Sequence, residues 1–113
     1  MKWVTKSTGS HEVRKTDVKI TLNGLNAKDG KIITRFSILN AKRFFETDYI
    51  SIGYDSNLIY FKPDVTGFKI GEKGNVGEVW INIALPNFVG EYNMKYDHNA
   101  KMYYIDRREI LHI

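Results

Sequence analysis

The chain has no cysteine among its 113 residues. Disulfide bonds, zinc sites built on thiolates and cysteine nucleophiles are therefore excluded together. The chain also lacks any run of about 18 apolar residues, so the sequence predicts no transmembrane helix. The opening segment MKWVTKSTGS has no apolar core of the kind that a secretory signal peptide carries. We therefore expect a cytoplasmic protein.

Long helical patterns are missing as well. No helical pattern of about 10 to 15 residues separates the alternating apolar runs, which argues against a parallel sheet. The best helix candidate is the short segment NAKRFFET (40–47), with Asn40 as its N-cap. The sequence predicts about seven or eight short strands and one short helix in a single mostly β domain, residues 1–113. Such a pattern is typical of a small OB-like barrel or of packed antiparallel sheets.

Groups suited to catalysis or metal binding are equally sparse. The histidines His11, His98 and His112 have no metal-like spacing, and His98 falls in a predicted turn. The glycine-rich segment GEKGNVG (71–77) is predicted to be a loop, since no Lys-Ser or Lys-Thr pair follows it as a phosphate loop requires. No constellation of nucleophile, base and orienting group is present. We therefore predict no enzymatic activity, no metal and no cofactor.

Two similar phrases are present in the chain. DYISIGYDSNLIYFKPD (48–64) and EYNMKYDHNAKMYYIDR (91–107) each contain an alternating run, Tyr-Asp, a polar turn and a second alternating run. Each predicts a β-hairpin, and in the second Tyr92, Met94 and Tyr96 are expected to share one face. ITRFSILNAKRFF (33–45) precedes the first phrase and EVWINIALPNFVG (78–90) the second. A unit of strand, short helical turn and hairpin is therefore predicted twice.

The positive charge is unevenly placed. Residues 1–57 carry ten basic and six acidic side chains, whereas residues 58–113 carry seven of each. The whole surplus of four positive charges therefore lies in the first half, which indicates a basic face.

Several aromatic residues occupy the polar phase of their strands. In EVWINIA the apolar residues Val79, Ile81 and Ile83 define an inward face, so Trp80 is expected to point outward. The same alternation places Tyr49 opposite Ile50. An exposed tryptophan on a strand calls for a functional explanation.

Two further strands show the same pattern. In LIYFK, Tyr60 and Lys62 share one face and Ile59 and Phe61 the other. In MYYID one of two neighbouring tyrosines must face outward, and we assign Tyr104 to that face.

Surface rings interleaved with cations are typical of proteins that bind single-stranded nucleic acid. Bases stack on the rings at about 1 to 3 kcal/mol each, while Lys and Arg follow the phosphates. Burial of the same rings against another subunit is the alternative. The candidate nucleic-acid contacts are Trp3, Lys19, Arg35, Lys42, Arg43, Tyr49, Tyr60, Lys62, Trp80 and Tyr104.

In size, basic cysteine-free composition, β content, Lys-Trp opening and surface aromatics, the chain resembles the small single-stranded-DNA-binding proteins of lactococcal-type phages. The resemblance covers the whole chain in general character and has no diagnostic motif. It implies an OB-like fold, a homodimer, and a role in phage replication or recombination in the host cytoplasm. One departure is that an OB-fold has its helix between the third and fourth strands, whereas the helix here follows the second predicted strand.

A second stretch, TRFSILNAKRFFETDYISIGYDSNLIYFKP, is similar to the swapped-hairpin unit of AbrB-like transcription factors. That family usually has Gly-Asp before the hairpin, where this chain has Thr47-Asp48. The similarity implies a regulator that binds duplex DNA, with Arg35, Lys42 and Arg43 at the phosphates. Outward aromatic rings favour the single strand, because duplex readers rely on basic and amide side chains. A protein-binding module that uses the rings as interface anchors is the third alternative.

Overall fold

The alternating runs form ten strands in two five-stranded antiparallel sheets. A computed structural model describes residues 16–25 and 28–111 of the chain. The helix α1 (Ala41–Phe44) follows the second strand, and 3₁₀ turns lie at Pro86–Phe88 and Arg107–Glu109. The strands are β1 (Val18–Leu25), β2 (Ile32–Leu39), β3 (Tyr49–Tyr54), β4 (Leu58–Pro63), β5 (Phe68–Lys69), β6 (Gly71–Lys73), β7 (Val76–Ile81), β8 (Gly90–Tyr92), β9 (Lys95–Asp97) and β10 (Met102–Asp106).

The strand order separates the two sheets cleanly. Sheet I has the order β6-β7-β2-β1-β8, and sheet II has the order β5-β3-β4-β10-β9. The sheets are not closed into a barrel, so packed antiparallel sheets with one short helix are confirmed and the OB-like barrel is not observed. The helix lies between β2 and β3, after the second strand as predicted. No helix among the described residues has the length and apolar character needed to cross a membrane.

The two sheets pack their inner faces together around aromatic rings. Phe36 of sheet I meets Phe61 of sheet II edge to face, with ring centroids 5.8 Å apart. Phe45, just after α1, lies against Phe61 and Tyr103 at 6.2 and 5.9 Å. Such pairs add about 0.5 to 1.5 kcal/mol beyond the area that they bury. The fully buried aliphatic residues are Val18, Ile20, Ile38, Ile50, Ile59, Val79 and Ile105, and Thr34 and Tyr92 are fully buried as well.

The topology agrees with the predicted repeat. The first unit is the hairpin β1–β2, the helix α1 and the hairpin β3–β4; the second is the hairpin β6–β7, a 3₁₀ turn and the hairpin β9–β10. The central residues of the two copies pair with each other, Arg35 with Trp80 in sheet I and Tyr60 with Tyr104 in sheet II. The strands β5 and β8 lie outside the repeat, one at an edge of each sheet.

Two segments differ from the sequence prediction. GEKGNVG is not a loop: Lys73 pairs with Val76, so Gly74 and Asn75 form a two-residue turn between β6 and β7. Gly74 has a φ of 63°, which glycine adopts without strain. These short elements raise the strand count above the seven or eight predicted.

The second hairpin is shorter than its phrase suggested. Tyr92 ends β8 in sheet I, where it is buried and its hydroxyl donates to the Phe88 carbonyl at 2.9 Å. The Met94 amide donates to Asp17 at 2.8 Å, and the chain then crosses into sheet II as β9. Tyr92 and Tyr96 therefore do not share a face.

Two local assignments also need correction. Ile83 is 45% exposed, because β7 ends at Ile81 and the chain turns where the Thr34 hydroxyl bonds the Ile83 carbonyl. Asn40 does not cap α1 through its side chain. Its backbone is left-handed, with φ 52° and ψ 51°, whereas a side-chain cap requires an extended residue.

The packing predicts opposite effects for two aromatic truncations. Trp80 is 45% exposed on the outer face of sheet I, so Trp80→Ala should lower the free energy of unfolding of the monomer by no more than about 1 kcal/mol. Phe61 is fully buried, and Phe61→Ala should cost about 3 to 5 kcal/mol. Urea unfolding with unchanged slope measures both. A cost at Trp80 equal to that at Phe61 would contradict the assigned faces.

Candidate nucleic-acid interface

The predicted contact residues lie in three separate places. Because the inner faces of the sheets pack together, their outer faces point in opposite directions. Lys19, Arg35 and Trp80 lie on the outer face of sheet I. Lys42 and Arg43 lie on α1, and Trp3 lies outside the described residues. The other four are on the outer face of sheet II: Tyr49, Tyr60, Lys62 and Tyr104.

We call the outer face of sheet II, lined by Tyr49, Gly53, Tyr60, Lys62 and Tyr104, the tyrosine face. Its centre is the pair Tyr60 and Tyr104 on the adjacent strands β4 and β10. Their ring centroids are 5.6 Å apart with an interplanar angle of 35°. Both side chains are partly exposed, and Tyr49 is 37% exposed at the start of β3. The alternation inferred from sequence placed all three correctly.

A shallow depression of about 440 Å³ adjoins Tyr60. Gly53 lies directly across the β3–β4 ladder from Tyr60 and forms part of the depression. A Cβ atom built on Gly53 would have no other heavy atom within 4 Å, so the Tyr60 ring does not cover this glycine. The lining residues are Ser51, Ile52, Gly53, Tyr54, Asp55, Tyr60, Lys62 and Met102.

Charged groups border the tyrosine face at both ends. Asp55 accepts the backbone amides of Asn57 and Leu58, each at 2.8 Å, and these bonds lower the pKa of its carboxyl. Asp64 accepts the hydroxyl of Ser51 and both the amide and the hydroxyl of Thr66, which lowers its pKa to about 2. Both carboxylates are therefore ionised at neutral pH.

The tyrosine hydroxyl at the centre stays protonated. Tyr60 donates to Asp97 at 3.5 Å. Desolvation, followed by the charge of Asp97, raises the pKa of the Tyr60 phenol. The ring therefore offers an uncharged stacking surface across the physiological pH range.

Two other cations near this face are already engaged. Lys95, opposite Tyr104 on β9, forms an ion pair with Glu109. Arg108 binds Asp106 through two hydrogen bonds of 3.0 and 2.8 Å. Exposed Lys62 is the cation that lines the depression. Exposed Lys69 lies across the β3–β5 ladder from Tyr49 on the same face. The tyrosine face therefore combines several rings with two exposed cations, Lys62 and Lys69.

The outer face of sheet I has a different character. The guanidinium carbon of Arg35 lies 5.5 Å from the centroid of the Trp80 ring, and its Nη1 lies 3.9 Å from Glu78. The Nε atom of Arg35 is buried with no hydrogen-bond partner in the described part of the chain. Lys19 lies across the β1–β8 ladder from Glu91. A carboxylate thus lies beside Arg35 and another beside Lys19, while exposed Lys73 on β6 is a third cation of this face.

The helix supplies a third, smaller site. Lys42 pairs with Glu72 at 3.4 Å, and the Arg43 guanidinium lies 4.8 Å from the centroid of the Phe44 ring. Both side chains border a depression of about 310 Å³ at the β6–β7 turn. Among residues 16–25 and 28–57, the basic side chains lie on sheet I, on the β1–β2 connection and on the helix, and none of them lies on the tyrosine face.

Sequence reasoning missed two functional candidates. Gly53 carries no side chain to signal its position, and the predicted turn Asp55-Ser56-Asn57 would have paired it with Ile59. The structure has one more residue in the connection, since Tyr54 pairs with Ile59, and Gly53 therefore lies opposite Tyr60. Lys95 was hidden because the change of sheet after Tyr92 is not visible in the alternation. His98 lies exposed in its predicted turn, with its ring 5.0 Å from Tyr96.

No group of three or more potential metal ligands is brought together within residues 16–25 and 28–111. Comparisons with protein-family models, curated proteins and solved structures found no match to this chain.

Proposed function

We propose that the chain binds single-stranded DNA without catalysis, through the tyrosine face. The observation that carries the proposal is the Tyr60–Tyr104 pair, which presents two partly exposed rings on adjacent strands in the middle region of sheet II. Stacking on such rings tolerates any base sequence, because every base has a π face. The resemblance to phage proteins extends the proposal to replication or recombination in the host cytoplasm.

The charges around the rings indicate how much of the affinity should come from phosphate contacts and how much from stacking. Lys62 is the exposed cation beside Tyr60. Three carboxylates lie around the tyrosine pair: Asp55 in the same depression, Asp97 bonded to the Tyr60 hydroxyl, and Asp106 two residues after Tyr104 on β10. Phosphate contacts should therefore be few, and stacking should supply most of the affinity. Flat, aromatic and weakly charged surfaces of this kind favour an unpaired strand over a duplex, whose bases are not accessible for stacking.

The first binding experiment concerns the rings. Tyr60→Ala and Tyr104→Ala should each weaken the binding of labelled oligo-dT by about 1 to 3 kcal/mol, the value of one stacking contact. Trp80→Ala is the matched control, since it removes an exposed ring from the opposite sheet. Fluorescence anisotropy on folded variants measures the affinities. Loss of affinity in Trp80→Ala with intact binding in both tyrosine variants would move the site to sheet I.

The second binding experiment concerns salt and strand form. With one or two phosphate contacts, the logarithm of the binding constant should fall against log salt with a slope of about −0.7 per contact. Matched duplex should compete poorly with oligo-dT. Tight, sequence-dependent duplex binding with a steep salt slope would instead favour the AbrB-like regulator, in which Arg35, Lys42 and Arg43 contact phosphates.

The outer face of sheet I supports a second proposal, a homodimer contact. Trp80 stacked with Arg35 combines the two residue types that dominate the energetic centres of protein interfaces. The facing Lys19 and Glu91, together with Arg35 and Glu78, provide charges of both signs, as a self-complementary surface requires.

Sedimentation tests the dimer directly. The wild-type chain should sediment as a dimer at micromolar concentration, and Trp80→Ala should shift it to monomer, because a central aromatic anchor is worth about 2 kcal/mol or more. Tyr104→Ala serves as the control and should leave the association unchanged. A monomeric wild type, or a dimer that is insensitive to Trp80→Ala, would contradict this placement.

A further inference from the structure

Gly53 is an exposed residue of the tyrosine face that lies beside the Tyr60 ring and has no side chain. It lies within β3 with its backbone in an ordinary conformation, and it is paired with Tyr60. Glycine within a strand is destabilising relative to alanine, and it often marks a site where a ligand approaches closely. A fold-level reason for this glycine is not found in its surroundings, since a Cβ atom would meet no other heavy atom within 4 Å.

Gly67, in the turn between β4 and β5, is a glycine that the fold requires. At Gly67 a Cβ atom would overlap the backbone carbonyl of Ile50 and lie 2.9 Å from the amide nitrogen of Ser51. Gly67 is therefore needed for the close approach of two backbone segments. Gly53 has no comparable contact, and the space above it is open.

The repeat makes the same point by comparison. In the second unit the position equivalent to Gly53 is Lys95, which lies opposite Tyr104 as Gly53 lies opposite Tyr60. Lys95 fills that position and is held there by its ion pair with Glu109. Of the two positions opposite the tyrosine pair, Gly53 is therefore the one without a side chain.

We infer that the depression above Gly53 receives a single unpaired nucleobase. The base stacks on the Tyr60 ring, and its phosphate is directed toward Lys62. This inference rests on the proposed binding of single-stranded DNA, and it locates one nucleotide of that strand in the depression beside Tyr60. The volume of about 440 Å³ falls within the range of about 300 to 1,000 Å³ found for small-ligand sites. Tyr54 and Met102 supply further apolar lining.

The direction of the nucleotide follows from the charges at the two ends. Lys62 lies across the ladder from Ser51, whereas Asp55 follows the end of β3 near Leu58. Both ends carry an ionised carboxylate, Asp55 at one and Asp64 at the other. Lys62, the cation that lines the depression, lies at the Asp64 end and offsets that charge, so a phosphate is repelled from Asp55 and attracted toward Lys62. The base, which carries no net charge, is free to occupy the middle.

The central experiment fills the depression without disturbing the fold. Gly53→Val places a β-branched side chain where the base would lie, and it should leave the free energy of unfolding unchanged or higher because valine favours strands. Binding of oligo-dT, measured by anisotropy, should weaken about tenfold, the equivalent of one stacking contact. Gly71→Val is the matched control: Gly71 is an exposed strand glycine on the opposite sheet, and its substitution should leave affinity unchanged.

The outcomes separate this inference from the proposed function. If wild-type protein fails to bind oligo-dT, the proposed function is wrong and the inference falls with it. If wild type binds, the tyrosine variants lose affinity and folded Gly53→Val binds normally, the base does not lie over Gly53 although the function stands. Should valine lower stability, Gly53→Ala provides the smaller obstruction and should weaken binding by a lesser factor; unchanged affinity in that variant would also overturn the inference.

A pair of charge variants tests the direction. Lys62→Met should weaken binding and reduce the salt slope by about 0.7, the contribution of one phosphate contact. Asp55→Asn retains the oxygen that accepts the turn amides and should change affinity by less than twofold. The reverse pattern, a normal Lys62→Met and a strongly improved Asp55→Asn, would place the phosphate at the other end of the depression and contradict the stated orientation.

Discussion

The structure depends above all on the packing of two sheet faces around Phe36, Phe45 and Phe61. Interior side chains pack at the density of organic crystals, so each strand must present its large apolar residues to the same side. Because successive side chains of a strand point to opposite faces of the sheet, the residues between the core positions must point outward. Trp80, Tyr60 and Tyr104 are outward for this reason, and their availability for binding is a consequence of how the core is built.

The internal repeat then determines which outward residues become neighbours. The pairing of β2 with β7 puts Arg35 beside Trp80, and the pairing of β4 with β10 puts Tyr60 beside Tyr104. Equivalent residues of the two units meet at the centre of each sheet. The units have diverged around these centres, since one tyrosine faces Gly53 and the other faces Lys95. The surface beside the tyrosine pair is therefore asymmetric, with a glycine on one side and a lysine on the other.

The two outer faces differ in the physics that they offer a partner. The tyrosine face has several rings and one exposed cation beside its depression, which suits stacking. The outer face of sheet I has one exposed tryptophan, a stacked arginine and charges of both signs, which suits a protein contact. Outward aromatic residues can be explained by nucleic-acid stacking or by burial against another subunit. Our proposals use the first explanation for the tyrosine face and the second for the outer face of sheet I.

The sequence alone determined the alternation, and with it the mostly β class, the short helix after β2, the first hairpin and the outward phase of Trp80, Tyr60 and Lys62. These properties are local, because a period of two residues can be read without knowing any partner strand. The tertiary structure decided which strand joins which sheet. It therefore separated residues that the sequence grouped as one site, placing Arg35 and Tyr60 on opposite sides, and it moved Tyr92 into sheet I. The opening beside Tyr60 was also beyond the sequence, because a glycine opposite a ring is defined by pairing across strands and leaves no periodic signal along the chain.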